Sequence, residues 1–262
     1  MKTAQYFCIF TFLISASLGL KSQASDLTSE ILEPDSYVKL MGSLDVINSE
    51  LHGSGFKHDT SSDLGAGYIL KIDHALSSEF GRIGFQYSNT DVEAESPNSI
   101  SPTSVDIRRT EYSLYYKTAP IKSGFFKDSR LGVGYFIFEY DADQTTPNIL
   151  ITNQQVQGFS FSIDHDIIIN SSLLANLGGG LYVPFKFNEE EANTGYYREY
   201  YAVYLSGTVD YSLGETSDFA LTAGFHLQRD YAKFEGMGDR GSSNSEDIRY
   251  LFRIPIGLKY SF

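Results

Sequence analysis

The chain lacks tryptophan, and its one cysteine, Cys8, lies close to the amino terminus. The rest of the chain can therefore form neither a disulfide framework nor a thiol nucleophile. These absences exclude the disulfide-stapled secreted domains and the cysteine-dependent enzymes.

Long hydrophobic runs are also missing, apart from one at the amino terminus. Lys2 is followed by an apolar run over residues 6–20, and Ser22-Gln23-Ala24 has the small-x-small pattern that precedes a signal-peptidase cut. We predict a signal peptide over residues 1–24, a periplasmic segment over residues 25–35 and one domain over residues 36–262. A transmembrane helix fits less well, because the run is shorter than the roughly 20 residues that span a bilayer.

Basic residues are scarce, with 20 Lys and Arg against 33 Asp and Glu and a net charge of −13. Residues 1–24 contain Lys2 and Lys21 and no acid, so their removal leaves 18 basic residues against 33 acidic ones. A chain this acidic repels a phosphate backbone, and we expect no nucleic-acid partner. Aromatic residues, by contrast, are plentiful, with 19 Tyr and 19 Phe.

The end of the chain alternates between apolar and polar side chains. Counting back in twos from Phe262, every second residue as far as Tyr250 is apolar or aromatic. The intervening residues are small or charged, with Leu251 as the exception. Because a strand sends alternate side chains to opposite faces, this pattern predicts a strand with one lipid-facing side and one polar side.

About ten segments show this alternation, each near the roughly 9–11 residues that a tilted membrane-spanning strand needs. The connections between them alternate in length, with short turns at 73–78, 118–128, 165–171 and 212–218 and long polar loops at 47–62, 88–104, 141–155, 188–196 and 230–247. We predict an all-β fold, a closed antiparallel up-and-down transmembrane β-barrel of about ten strands, with eight or twelve as alternatives. A soluble β-sandwich also has short alternating strands, but its loops would not alternate in length.

The closing strand, with Tyr260 and Phe262, resembles the last strand of bacterial outer-membrane β-barrels, whose terminal aromatic residue is a signal to the assembly machinery. In size and layout the chain resembles the small opacity-protein and OmpA-type barrels of Gram-negative bacteria. This resemblance implies an outer-membrane location, contact with lipid and lipopolysaccharide, and a structural or cell-surface role that is adhesin- or antigen-like. Host or environmental ligands would bind at the loops, and both termini would lie in the periplasm.

The inward-facing positions carry charges of both signs, among them Arg82, Arg109, Glu111, Arg249 and Arg253. One interpretation is a narrow porin-like pore for small solutes, with a selectivity ring. The other is a network of ion pairs that fills the interior. About ten strands leave an interior little wider than packed side chains need, far from the 16–18 strands of general porins, which favours the network.

Ten is also the strand number of the omptin family of outer-membrane proteases, which set paired aspartates across the barrel mouth from a His-Asp couple. This resemblance points to Asp141 and Asp143 after the fifth strand, and to His226 and Asp230 on the ninth, as an acid and a base that could flank a water. The Asp-x-His triplet of the family is absent from the ninth strand. An omptin-like hydrolase at the extracellular mouth therefore stays an alternative, and the sequence establishes no enzymatic activity.

Other chemistry has little support. A lipid-modifying barrel needs a Ser and a His together, and the one local group of that kind, residues 58–61, fits a polar loop equally well. No spacing of metal ligands stands out, so we predict no metal site and no cofactor.

Overall fold

The computed structural model of the protein describes residues 36–53, 56–77, 79–95, 104–143, 154–189, 196–214, 217–238 and 241–262. The predicted signal peptide and the segment 25–35 lie outside the described residues. Within the described part of the chain, no helix has the length and apolarity that a membrane crossing requires. The described residues are almost all in eleven strands: β1 (Tyr37–Gly53), β2 (Phe56–Ser62), β3 (Gly65–Ser77), β4 (Gly81–Glu95), β5 (Ser104–Lys117), β6 (Ser129–Asp143), β7 (Gln154–Asn170), β8 (Leu173–Glu189), β9 (Tyr196–Ser212), β10 (Phe219–Gly238) and β11 (Gly241–Ser261).

The strands close into a ring. Each strand from β4 to β11 pairs antiparallel with the next, and β1 pairs with β11 from Tyr37↔Ser261 to His52↔Glu246. The first half of β1 pairs with β3 and the second half with β2, so β2 and β3 share one position in the ring. The prediction of a closed antiparallel up-and-down barrel of about ten strands is confirmed.

The two ends of the barrel differ in their connections. The short-turn end carries the β3–β4, β5–β6, β7–β8 and β9–β10 connections, the beginning of β1 and the end of β11. The long-hairpin end carries the β1–β2, β4–β5, β6–β7, β8–β9 and β10–β11 connections.

Side chains sort by strand parity as the alternation predicts. On β1, Leu40 is 62% exposed and its neighbour Lys39 is 5% exposed. On β11, Ile256 is 59% exposed and Arg253 is 2% exposed. The apolar face lies outside and the charged face lies inside, as a barrel in lipid requires.

The strands are longer than predicted. β10 and β11 continue through most of the predicted loop at 230–247, and β1, β4 and β8 extend into the loops at 47–62, 88–104 and 188–196. The predicted turn at 165–171 is also mostly strand, because β7 ends at Asn170. Those predicted boundaries are wrong, since the apolar–polar alternation stops where the outer face leaves lipid while backbone pairing continues.

Candidate functional site

The interior at mid-height holds a buried arginine on the closing strand. The Arg253 guanidinium donates to Asp45 Oδ2 at 3.3 Å, to Ser88 Oγ at 3.2 Å and to Thr90 Oγ1 at 2.6 Å. Thr90 in turn donates to Asp45 Oδ2 at 2.5 Å. These bonds join β11 to β1 and β4, so the network ties the two sides of the closure seam together.

A second buried ion pair lies on β5. Arg109 Nη1 donates to Glu111 Oε2 at 3.2 Å, and neither side chain is more than 2% exposed. The Arg109 guanidinium lies 4.5 Å from the centre of the Phe138 ring, close enough for a cation–π contact. Tyr182 donates its hydroxyl hydrogen to Glu111 Oε1 at 3.4 Å, which connects β5 to β8 across the lumen.

Around this pair the barrel is filled by an apolar cluster, here called the lumen plug. Phe136 and Phe138 are both 0% exposed, and their ring centres lie 4.8 and 4.7 Å from that of Tyr182. A smaller apolar group lies on the inner face of β1, β4, β5 and β11. The lumen plug consists of Phe136, Phe138, Tyr140, Val156, Tyr182, Tyr200, Ala202 and Ala232, and the smaller group of Ile47, Val92, Ala94, Ile107 and Leu251.

Arg249 lies on the inner face nearer the long-hairpin end. Its Nη2 is 2.7 Å from Asp247 Oδ2, and its guanidinium is 4.5 Å from the centre of the Tyr140 ring. Ser49 on β1 donates to Asp247 Oδ1 at 3.1 Å. The Arg249–Asp247 pair therefore packs against the lumen plug and also contacts β1 at the closure seam.

The structure does not bring the candidate catalytic residues together. His226 and Asp230 face the lumen and are bridged by Gln228, whose Oε1 lies 3.2 Å from His226 Nε2 and whose Nε2 donates to Asp230 Oδ1 at 2.7 Å. Tyr140 also donates to Asp230. Asp141, on the alternate parity of β6, is exposed, and the side chain of Asp143 lies outside the described residues. Asp230 is buried and His226 is half-buried on the inner face, and the exposed Asp141 does not face them.

The short-turn end opens into a charged cavity of about 330 Å³, here called the vestibule. Arg82 contributes to its wall and lies 3.2 Å from Asp73 Oδ1. Two further pairs line it, Lys117 with Asp164 at 2.8 Å and Arg130 with Asp166 at 3.3 Å. Apolar side chains such as Ile168 and Leu173 line the vestibule as well as the charged ones.

Outward-facing aromatic residues form two bands. Near the long-hairpin end, the ring centres of Tyr68 and Tyr87 are 5.6 Å apart and those of Tyr87 and Tyr112 are 5.1 Å apart. At the short-turn end, Tyr260 packs against Phe219 at 4.9 Å and against Phe262 at 6.0 Å. Such bands are typical of the two interfaces of a membrane barrel.

The terminal aromatic residue predicted as an assembly signal is accessible. Phe262 is 63% exposed, and its backbone N–H donates to the Ser36 carbonyl oxygen at 2.9 Å. Its recognition by assembly machinery stays a prediction.

One group of side chains among the described residues could hold a metal ion. Glu50, His52 and Asp59 lie on the β1–β2 hairpin, with ligand atoms within 4.8 Å of one another. Glu50 and Asp59 are direct cross-strand partners on the outer face. No sequence motif marks this group, because its residues come from two strands.

Solved structures give the decisive comparison. The chain is similar to the outer membrane protease OmpT from Escherichia coli, with 10% identity over 87% of this chain and 97% of that chain and a TM-score of 0.53. The chain has the fold of the bacterial outer-membrane β-barrels. It is also similar to the translocator domain of the autotransporter NalP from Neisseria meningitidis, with 10% identity over 100% of this chain and 98% of that chain and a TM-score of 0.43. No protein-family model and no curated protein matches the chain.

In this outer-membrane barrel fold, sequence reasoning missed the lumen plug. Phe136 and Phe138 stand on the inward parity of β6 and alternate with the outward Tyr135 and Ile137. A run that is apolar on both parities signals a strand with lipid on one side and packed protein on the other. That signal was present at residues 135–138.

Proposed function

We propose that the chain is an integral outer-membrane protein with a structural and surface role. It holds a closed, non-conducting cylinder in the bilayer and presents paired β-hairpins on the cell surface. The short-turn end, with both termini, faces the periplasm, because outer-membrane barrels have short periplasmic turns and longer external loops.

The observation that carries this proposal is the lumen plug. Phe136, Phe138 and Val156 are completely buried at the centre of the barrel, although each faces inward. A conducting pore needs a water-filled path lined by polar groups. Packed aromatic rings and desolvated ion pairs such as Arg109–Glu111 favour the network interpretation over the narrow pore.

A second observation supports the surface role. On β11 the outward apolar and aromatic positions run from Tyr250 to Tyr260, ten residues apart, which is close to the roughly 9–11 residues that cross a bilayer. β11 begins at Gly241, nine residues before Tyr250. The β10–β11 ladder therefore continues well past Tyr250, as a stiff hairpin that is suited to presenting its end to other molecules.

The β4–β5 hairpin carries an exposed ion pair near the long-hairpin end. Arg108 Nε donates to Asp91 Oδ1 at 2.8 Å, and the two side chains are 60% and 57% exposed. Charges on the lipid face of a barrel are destabilising near the bilayer midplane and cost little near the interface. This pair accordingly suits a surface in water beyond the membrane.

Planar-bilayer recording tests the proposal. We expect the purified wild-type protein to insert without producing single-channel steps. The variant Phe136→Ala/Phe138→Ala/Tyr182→Ala removes the plug and should produce conductance, because it replaces three packed rings with space that water can enter.

A matched control substitutes rings on the outer face. Phe159→Leu/Phe161→Leu changes side chains that are 52% and 51% exposed on β7 and should stay silent like the wild type. Steady ohmic steps from the wild-type protein would overturn the non-conducting role and restore the pore.

A further inference from the structure

The vestibule wall contains a row of three lysines, here called the lysine row. Lys39 on β1 is the direct cross-strand partner of Lys71 on β3 and also of Lys259 on β11. Side chains directly opposite one another in an antiparallel sheet have Cβ atoms about 4.5–5.5 Å apart. Like charges in that arrangement repel each other, so the lysine row needs compensation from nearby anions.

The carboxylates of the barrel compensate the row only in part. Asp210 is shared by two of the three lysines, with its Oδ1 2.7 Å from Lys39 Nζ and its Oδ2 3.2 Å from Lys259 Nζ. Thr222 adds a neutral contact at 3.4 Å from Lys39 Nζ. Among the described residues, no carboxylate is within ion-pair distance of Lys71 Nζ.

A tyrosine brings these cations to one point. The Tyr37 ring has Lys39 at 5.5 Å, Lys71 at 5.8 Å and Lys259 at 4.9 Å from its centre, and the Arg82 guanidinium at 5.6 Å. Four cations therefore surround one ring. Among the described residues, Asp73 and Asp210 are the carboxylates that form ion pairs with these four cations, so the cations around the ring outnumber their paired carboxylates by two.

The rest of the vestibule lining adds Lys117, Arg130, Asp164, Asp166 and Asp218, so the whole lining holds six cations and five carboxylates. Asp218 is exposed and forms no ion pair among the described residues. Lys117 and Arg130 already have Asp164 and Asp166 as their own partners. Asp73 is likewise occupied, since it pairs with Arg82 and accepts a hydrogen bond from the Tyr115 hydroxyl at 2.8 Å. In a chain with a net charge of −13, such a local excess of cations is a built feature.

We propose that the vestibule is a binding site for an oxyanion with two or more negative charges, of the phosphate type. The ligand enters from the short-turn end and places its oxygens among Lys71, Lys39 and Lys259. The cavity of about 330 Å³ has room for a phosphate that carries an organic group, and Ser171 and Ser172 line its wall as further hydroxyl donors. The site is independent of whether the lumen conducts.

The test measures binding of inorganic phosphate and pyrophosphate to the full-length protein in detergent by isothermal titration calorimetry at constant ionic strength. We expect saturable binding by the wild type. Lys71→Met keeps the aliphatic stem, removes the charge and breaks no ion pair, and it should weaken binding at least about tenfold. Lys71→Arg keeps the charge and should bind within about threefold of the wild type.

The control is Lys122→Met. Lys122 is an exposed lysine of the β5–β6 connection at the same end of the barrel and outside the vestibule. Lys122→Met removes one positive charge, as Lys71→Met does, and should leave the affinity for phosphate and pyrophosphate unchanged. Heat-modifiable mobility in gels confirms that every variant is folded. Absence of saturable phosphate and pyrophosphate binding by the wild type overturns the proposal, as does Lys71→Met binding like the wild type or Lys122→Met losing as much as Lys71→Met.

Discussion

At the scale of single residues, the interior is organised by charges that cannot reach water. Arg253 is 2% exposed and has three side-chain partners on two other strands. Burying two charges costs several kcal/mol per ion, and the cost is recovered only when both partners are in place. The Arg253–Asp45 pair therefore holds β11 and β1 in register, because either charge buried without the other would cost more folding free energy than the pair does.

This argument predicts the effect of Arg253→Met. The change leaves the Asp45 carboxylate buried without its cation and should lower the free energy of unfolding by about 3–5 kcal/mol, measured by urea titration in phospholipid vesicles. Arg108→Met removes an exposed member of the Arg108–Asp91 pair and should change that free energy by less than about 1 kcal/mol. The double variant Arg253→Met/Asp45→Asn should regain part of the loss. Equal small losses for Arg253→Met and Arg108→Met would contradict the argument.

At the scale of strands, the sequence predicts the membrane-spanning parts well and the extensions poorly. The outward positions of β11, from Tyr250 to Tyr260, follow from alternation alone because lipid demands apolar side chains there. The residues from Asp230 onward on β10 were predicted as a loop, yet they pair with β11 as far as Gly238↔Gly241. In water a strand does not need an apolar outer face, so its composition resembles that of a loop.

The interior charge network is likewise predicted only in part from the sequence. The inward parity of Arg109, Glu111 and Arg253 follows from strand alternation, but their partners come from strands far apart in sequence, as with Asp45 and Arg253. Period-two reasoning gives a face and does not give a register across the lumen. The lumen plug depends on both, which is why the sequence alone did not predict it.

The closure seam gives a prediction at the strand scale. A Cβ atom on Gly257 would lie 2.1 Å from the Leu40 carbonyl oxygen and 2.5 Å from Met41 Cα, whereas one on Gly42 has nothing within 4 Å. Gly257→Ala should therefore destabilise the barrel by about 1–3 kcal/mol through overpacking against β1. Gly42→Ala lies on the same seam and should have no destabilising effect.

Gel mobility measures this difference. The temperature at which the folded band of Gly257→Ala converts to the unfolded band should fall below that of the wild type, and that of Gly42→Ala should not. If the two variants behave alike, β1 and β11 do not approach each other as closely as the structure has them.

At the scale of the whole molecule, one cylinder separates two surroundings. Its outer belt between the aromatic bands is apolar, and its interior is filled by ion pairs and rings. Every one of the eleven described strands pairs with a neighbour on each side over at least part of its length. In lipid an open edge would leave backbone groups without hydrogen-bond partners, at several kcal/mol each. Every role proposed above, from the sealed lumen to the lysine row, requires the β1–β11 pairing, because Lys39 and Lys259 meet across it.

Disulfide trapping across this seam tests closure most directly. Gly42 and Ile256 are register partners, and paired Cα atoms in antiparallel strands are about 4.5–5.5 Å apart, within disulfide range. In a Cys8→Ser background, Gly42→Cys/Ile256→Cys should form an intrachain disulfide in nearly every folded molecule, while Gly42→Cys/Val203→Cys, two strands further away on β9, should form none. A folded protein in which the Gly42→Cys/Ile256→Cys pair stays reduced under oxidant would contradict the closed barrel.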